Sequence, residues 1–84
     1  MAKKSDMNVL FTATRESDRA QLHLLNRNTE YSGYVVCWNY DPASGTWDLG
    51  TYCENLKDGL SAFIRKCEEH DFSEVYEGYF ETES

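Results

Sequence analysis

One proline and five glycines among 84 residues are too few for a collagen-like or low-complexity chain. Only three cysteines are present, Cys37, Cys53 and Cys67, an odd number without framework spacing. They are expected as reduced thiols packed like small hydrophobes. No apolar run approaches the roughly 18 residues of a membrane span. The opening Met1-Ala2-Lys3-Lys4-Ser5-Asp6 carries positive charge with no apolar stretch of signal length behind it. The chain is therefore expected to be soluble and cytoplasmic, without membrane contact. Bases are scarce as well: 8 Lys and Arg stand against 15 Asp and Glu, for a net charge of -7. From Glu68 onward there are seven acids and no base. Such a field repels phosphate backbones, so direct nucleic-acid binding is disfavoured and a basic protein partner favoured.

What is present suffices for one small core. Hydrophobic residues make up 40% of the chain and aromatics 14%, which argues against wholesale disorder. A single domain over residues 1–84 is expected, with 1–6 disordered and 71–84 an acidic, aromatic C-terminal segment. The densest signal is central. Tyr34 to Tyr40 and Thr46 to Tyr52 are rich in β-formers, and Asp41-Pro42-Ala43-Ser44-Gly45 between them reads as a turn. If Asp41 pairs with Thr46, Tyr40 faces Trp47, Trp38 faces Leu49 and Val36 faces Thr51. Both tryptophans then share a face with Tyr34, Val36, Tyr40 and Leu49.

A helix over about 56–69 follows, with Asn55 as its N-cap and Leu56, Leu60, Phe63, Ile64 and Cys67 at the helical period. Gly59 is its weak point, costing roughly 1 kcal/mol relative to alanine. Upstream, Met7 to Thr14 reads as a strand with Val9, Phe11 and Ala13 on one side. Ala20 to Arg27 fits a strand better than a helix, because a two-stranded hairpin alone is marginal. Phe72, Val75, Tyr76, Tyr79 and Phe80 suit one face of a short helix, while the composition around Gly78 equally allows an edge strand. The fold class is α+β: an antiparallel sheet of three to four strands with one helix on one face.

Chemistry-bearing constellations are thin. Cys67 and His70 stand three apart, but a structural zinc site needs four ligands and no second close pair exists, so no metal or cofactor is expected. Glu68 and Glu69 push the Cys67 thiol away from the thiolate a nucleophile needs. The carboxylates form an exposed run rather than a pair in contrasting environments, and no glycine-rich phosphate loop occurs. Enzyme activity is not expected.

The hairpin sequence, Tyr34 to Asp41 and then Ser44 to Tyr52, resembles small uncharacterised proteins carried on conjugative transposons and related mobile elements of clostridia and other Firmicutes. Those proteins share a YVV-x-W-x-YD, G-x-W, G-x-Y hairpin followed by a short helix. The resemblance covers roughly residues 31–70 and implies a bacterial accessory protein; it carries no catalytic residues. The expected function is a non-enzymatic, acidic protein-interaction module, monomeric or weakly dimeric. The alternative is a nucleic-acid mimic that occupies the basic groove of a DNA-binding or defence protein. Candidate partner-binding residues are Glu68, Glu69, Asp71, Phe72, Glu74, Tyr76, Glu77, Tyr79 and Phe80.

Overall fold

The computed structural model describes residues 8–27 and 33–79. Residues 1–6, Phe80 and the end of the acidic segment lie outside them. Five strands and a helix follow one another: β1 (Asn8–Thr14), β2 (Gln21–Asn26), β3 (Tyr34–Asp41), β4 (Thr46–Cys53), α1 (Leu56–Glu69) and β5 (Glu74–Glu77). The sheet is antiparallel throughout, in the order β4-β3-β2-β1-β5. The class is α+β, with one strand more than three to four. Residues 20–27 supply β2 at the centre of the sheet, and the C-terminal segment contributes an edge strand rather than a helix.

The β3–β4 hairpin closes where the turn residues put it. Asp41 pairs with Thr46, and Asp41 Oδ1 accepts the Ala43 N–H at 3.0 Å. Gly45, at φ +72°, donates its N–H to the Asp41 carbonyl at 2.7 Å. Beyond the turn the expected register fails twice. Between Asp41↔Thr46 and Trp38↔Asp48, β3 holds an extra residue; between Trp38↔Asp48 and Val36↔Thr51, β4 does. Asn39 (φ 52°) and Leu49 (φ 46°) are the left-handed residues at these two bulges. The slips cancel, so Val36 does face Thr51, but Trp38 faces Asp48 instead of Leu49.

The bulge at Asn39 also separates the tryptophans. Trp38 stays on the helix side with Val36, while Tyr40 and Trp47 turn to the opposite face, their rings 6.2 Å apart. Gly50 leaves the indole its place, since a Cβ there would lie 2.8 Å from Trp47 Nε1. An alternation rule read from sequence has no means of detecting a bulge, because one added residue inverts every side chain beyond it. A third irregularity, between Val9 and Phe11, sends Val9 to the far face while Leu10 and Phe11 pack toward the helix.

Two apolar layers result. On the helix side Ala13, Leu22, Leu24 and Val36 meet Ala62, Phe63, Cys67 and Phe72. On the far side Leu25, Val35, Cys37 and Tyr40 cluster with Val9 and Trp47. Asn55 caps α1 by accepting the Asp58 N–H at 2.8 Å. At the other end Asp71 turns left-handed (φ 60°), and the Phe72 N–H returns to the Cys67 carbonyl at 3.0 Å. This Schellman-type stop uses aspartate where glycine is common, and it delivers the Phe72 ring back into the core. Arg15 secures the same corner. Its guanidinium donates to both Asp18 carboxylate oxygens and to the His70 carbonyl, and lies 4.9 Å from the centre of the Phe72 ring.

A candidate docking groove beside the helix

A helix is about 10 Å across and a five-stranded sheet is roughly twice that, so one helix cannot cover one face. α1 packs over β2, β3 and β4. Beside the helix, Phe11 of β1 and Val75 of β5 border an apolar trough of about 350 Å³. Phe11, Phe63 and Phe72 form its inner part, with the Phe11 and Phe63 rings 6.1 Å apart. Leu60, Ile64, Cys67 and Glu68 bound it on the helix, and Val75 on β5. Ile64 is 55% exposed and Val75 52%, so the two walls present apolar side chains to solvent.

Strand pairing determines the acidic rim. Val75 stands opposite Ala13 and Glu77 opposite Phe11, so both project on the helix side. Glu74 and Tyr76, opposite Thr14 and Thr12, project to the far face, where the Tyr76 hydroxyl donates to Glu74 at 2.8 Å. The sequence-derived site is thereby divided. Glu68 lines the trough, Glu77 projects from β5 on the same side of the sheet, and Glu69 and Asp71 are exposed at the helix end. Phe72, 7% exposed, belongs to the core. Tyr79 turns to the far face and stacks on His23, ring centres 5.8 Å apart, and Phe80 lies outside the described residues. Among the described residues the carboxylates therefore form no single row on one face.

Phe11, Leu60, Phe63, Ile64 and Val75 are trough residues that the acidic signal did not indicate. Ile64 belongs to the helical stripe read as core, but it sits at the margin of that stripe, beyond the part the sheet covers. A stripe wider than its contact is the one sequence trace of the groove.

The three thiols are all shifted away from the thiolate form. Burial pushes the Cys67 thiol up to about 11, with Glu68 adding to the shift. Burial alone takes Cys37 to about 12, and burial together with the nearby Asp58 raises Cys53. Among the described residues no three His, Cys, Asp or Glu side chains converge as metal ligands. On the far face His23 is wholly buried, edge-on to Tyr40 at 5.9 Å. Thr12 donates its hydroxyl proton to the Gly78 carbonyl at 2.8 Å, so its oxygen accepts from His23 Nδ1 at 3.1 Å. That assigns the proton to Nδ1 and leaves Nε2 a buried acceptor without a partner among the described residues. Desolvation pushes the imidazole down to about 4, so it is neutral near pH 7. What the helix side offers chemically is apolar contact bounded by negative charge. Against family models, curated proteins and solved structures alike, the chain has no match.

Proposed function

We propose that this protein is a non-enzymatic interaction module that docks a basic, amphipathic segment of a partner protein in the trough between α1 and β5. The observation that carries this is the juxtaposition of exposed Ile64 and Val75 with Glu68 along one trough, Glu77 standing opposite the trough residue Phe11 on the same side of the sheet. Apolar walls reward burial of a partner's side chains, and carboxylates at the margin select lysine or arginine beside them. Lys66 is the last base in the sequence, so nothing from Glu68 onward neutralises that rim. The hairpin's resemblance to mobile-element proteins supports a bacterial accessory role for such a module.

Two short synthetic peptides test the reading by titration calorimetry, one interleaving lysine with valine and one glutamate with valine. The lysine peptide is expected to bind, more weakly as salt rises. Ile64→Asp should abolish binding, and Leu49→Asp, at a position 78% exposed on β4, should leave it intact. Equal binding of both peptides, or insensitivity to Ile64→Asp, would refute the docking role.

A further inference from the structure

Resting on that reading, we infer that the partner segment binds as an added strand on β5, with the pattern basic–any–apolar–basic. β5 is the last strand in the sheet among the described residues. The Gly78 N–H donates to the Leu10 carbonyl at 2.8 Å, which identifies Gly78↔Leu10 as a hydrogen-bonded pair. Such pairs alternate along an antiparallel ladder, so Tyr76 and Glu74 also turn their backbone groups toward β1. The N–H and C=O groups of Val75 and Glu77 consequently point away from β1, along the edge that is outermost among the described residues. Their side chains meanwhile stand on the trough side. One element therefore offers both backbone hydrogen bonds and an apolar, acid-flanked surface, the two requirements of strand addition.

The order of chemistry along an antiparallel guest follows from β5 itself. Its residues would face Glu77, Tyr76, Val75 and Glu74 in turn. Opposite residues lie about 5 Å apart and share a face, so lysine or arginine suits the two ends. The residue opposite Val75 projects on the trough side and gains from being apolar. The position opposite Tyr76 looks to the far face and is unrestricted by the trough. A second copy of this chain is a poor occupant: its β5 edge carries Glu74 and Glu77 and no base, so two such edges repel. Flanking an edge strand with charge is also how proteins avoid pairing with themselves.

Val75→Pro is the decisive variant. Proline removes an outward N–H without touching the bonds to β1, which an edge strand tolerates. The probe is a short synthetic peptide with Lys-Thr-Val-Lys at its centre. Val75→Pro is expected to bind it about tenfold more weakly than Val75→Ala, which also loses the apolar wall but keeps the N–H, the effect of losing one backbone hydrogen bond at a binding edge. In the unaltered protein, NMR-detected hydrogen exchange at the Val75 and Glu77 amides should slow on peptide addition; this measurement decides alone if the proline variant does not fold. Glu77→Lys should weaken the lysine peptide too. If Ile64→Asp weakens binding while Val75→Pro binds as Val75→Ala does and the two amides show no effect, strand addition is wrong and the docking trough stands. If Ile64→Asp has no effect, both fail. A protein that sediments as a dimer and becomes monomeric on Val75→Pro would assign the edge to a second copy and overturn the inference.

Discussion

His23 shows how a single residue carries consequences beyond its own contacts. It sits in β2 between Leu22 and Leu24, alternating with them, so its ring enters the far layer while theirs enter the helix side. Burial holds its folded value near 4, below the ordinary 6.5. The unfolded chain therefore binds a proton over this range that the folded chain refuses. Stability is full above pH 6.5 and falls progressively as the pH is lowered toward 4, by on the order of 3 kcal/mol. Asp18, which Arg15 holds below its usual carboxylate range, contributes in the same direction only at still lower pH. Urea denaturation across pH 4–7 should show this slope in the native sequence and lose most of it in His23→Leu. Parallel profiles for the two proteins would show that His23 is not the group responsible.

At the scale of elements, Gly59 reverses the reading that helix propensity suggests. Replacement by alanine favours an isolated helix by about 1 kcal/mol. Here, however, a Cβ would stand 3.1 Å from Leu24 Cδ1 and 3.3 Å from Tyr34 Cβ. Leu24 is fully buried, and Tyr34 Cβ is anchored directly to the β3 backbone, so neither yields easily. Crowding of this kind costs about 1–3 kcal/mol. Gly59→Ala is thus expected to lower the thermal midpoint, whereas propensity alone would raise it; a raised midpoint would mean that α1 can lift from the sheet without loss. The glycine lets the helix lie close against Leu24 and Tyr34 of the sheet.

Considered as a whole molecule, residues 71–79 of the acidic C-terminal segment are a structural part rather than an appended tail. Phe72 fills the helix-side layer beside Trp38, ring centres 5.3 Å apart, and β5 extends the sheet past β1. Removing residues 72–84 takes away both. Truncating a buried phenylalanine alone costs about 3–5 kcal/mol, a large share of the marginal stability of a small domain. The truncated chain should lose its cooperative urea transition or show it at much lower denaturant. A midpoint equal to that of the full chain would mean that neither Phe72 nor β5 contributes. The same segment supplies one wall of the trough, so stability and docking share it.

Much of the fold was legible in the chain because it rests on local chemistry. Asp41 to Gly45 announce a tight turn, Asn55 and the stripe from Leu56 to Cys67 announce a capped amphipathic helix, and Val35 to Tyr40 announce a strand. Each depends on neighbours a few residues away. The bulges at Asn39 and Leu49 do not. No alternation pattern in one strand expresses them, and the one at Asn39 sends Trp38 and Trp47 to opposite sides. The candidate site divides the same way. Acidity after Glu68 is a property of composition, but its separation over two faces follows from the register of β5 on β1. The trough exists because α1 settles mainly over β2, β3 and β4 and leaves Phe11 on β1 and Val75 on β5 incompletely covered. Local propensity specifies which elements form; where a single helix comes to rest on a wider sheet is decided by side chains brought together from distant parts of the chain.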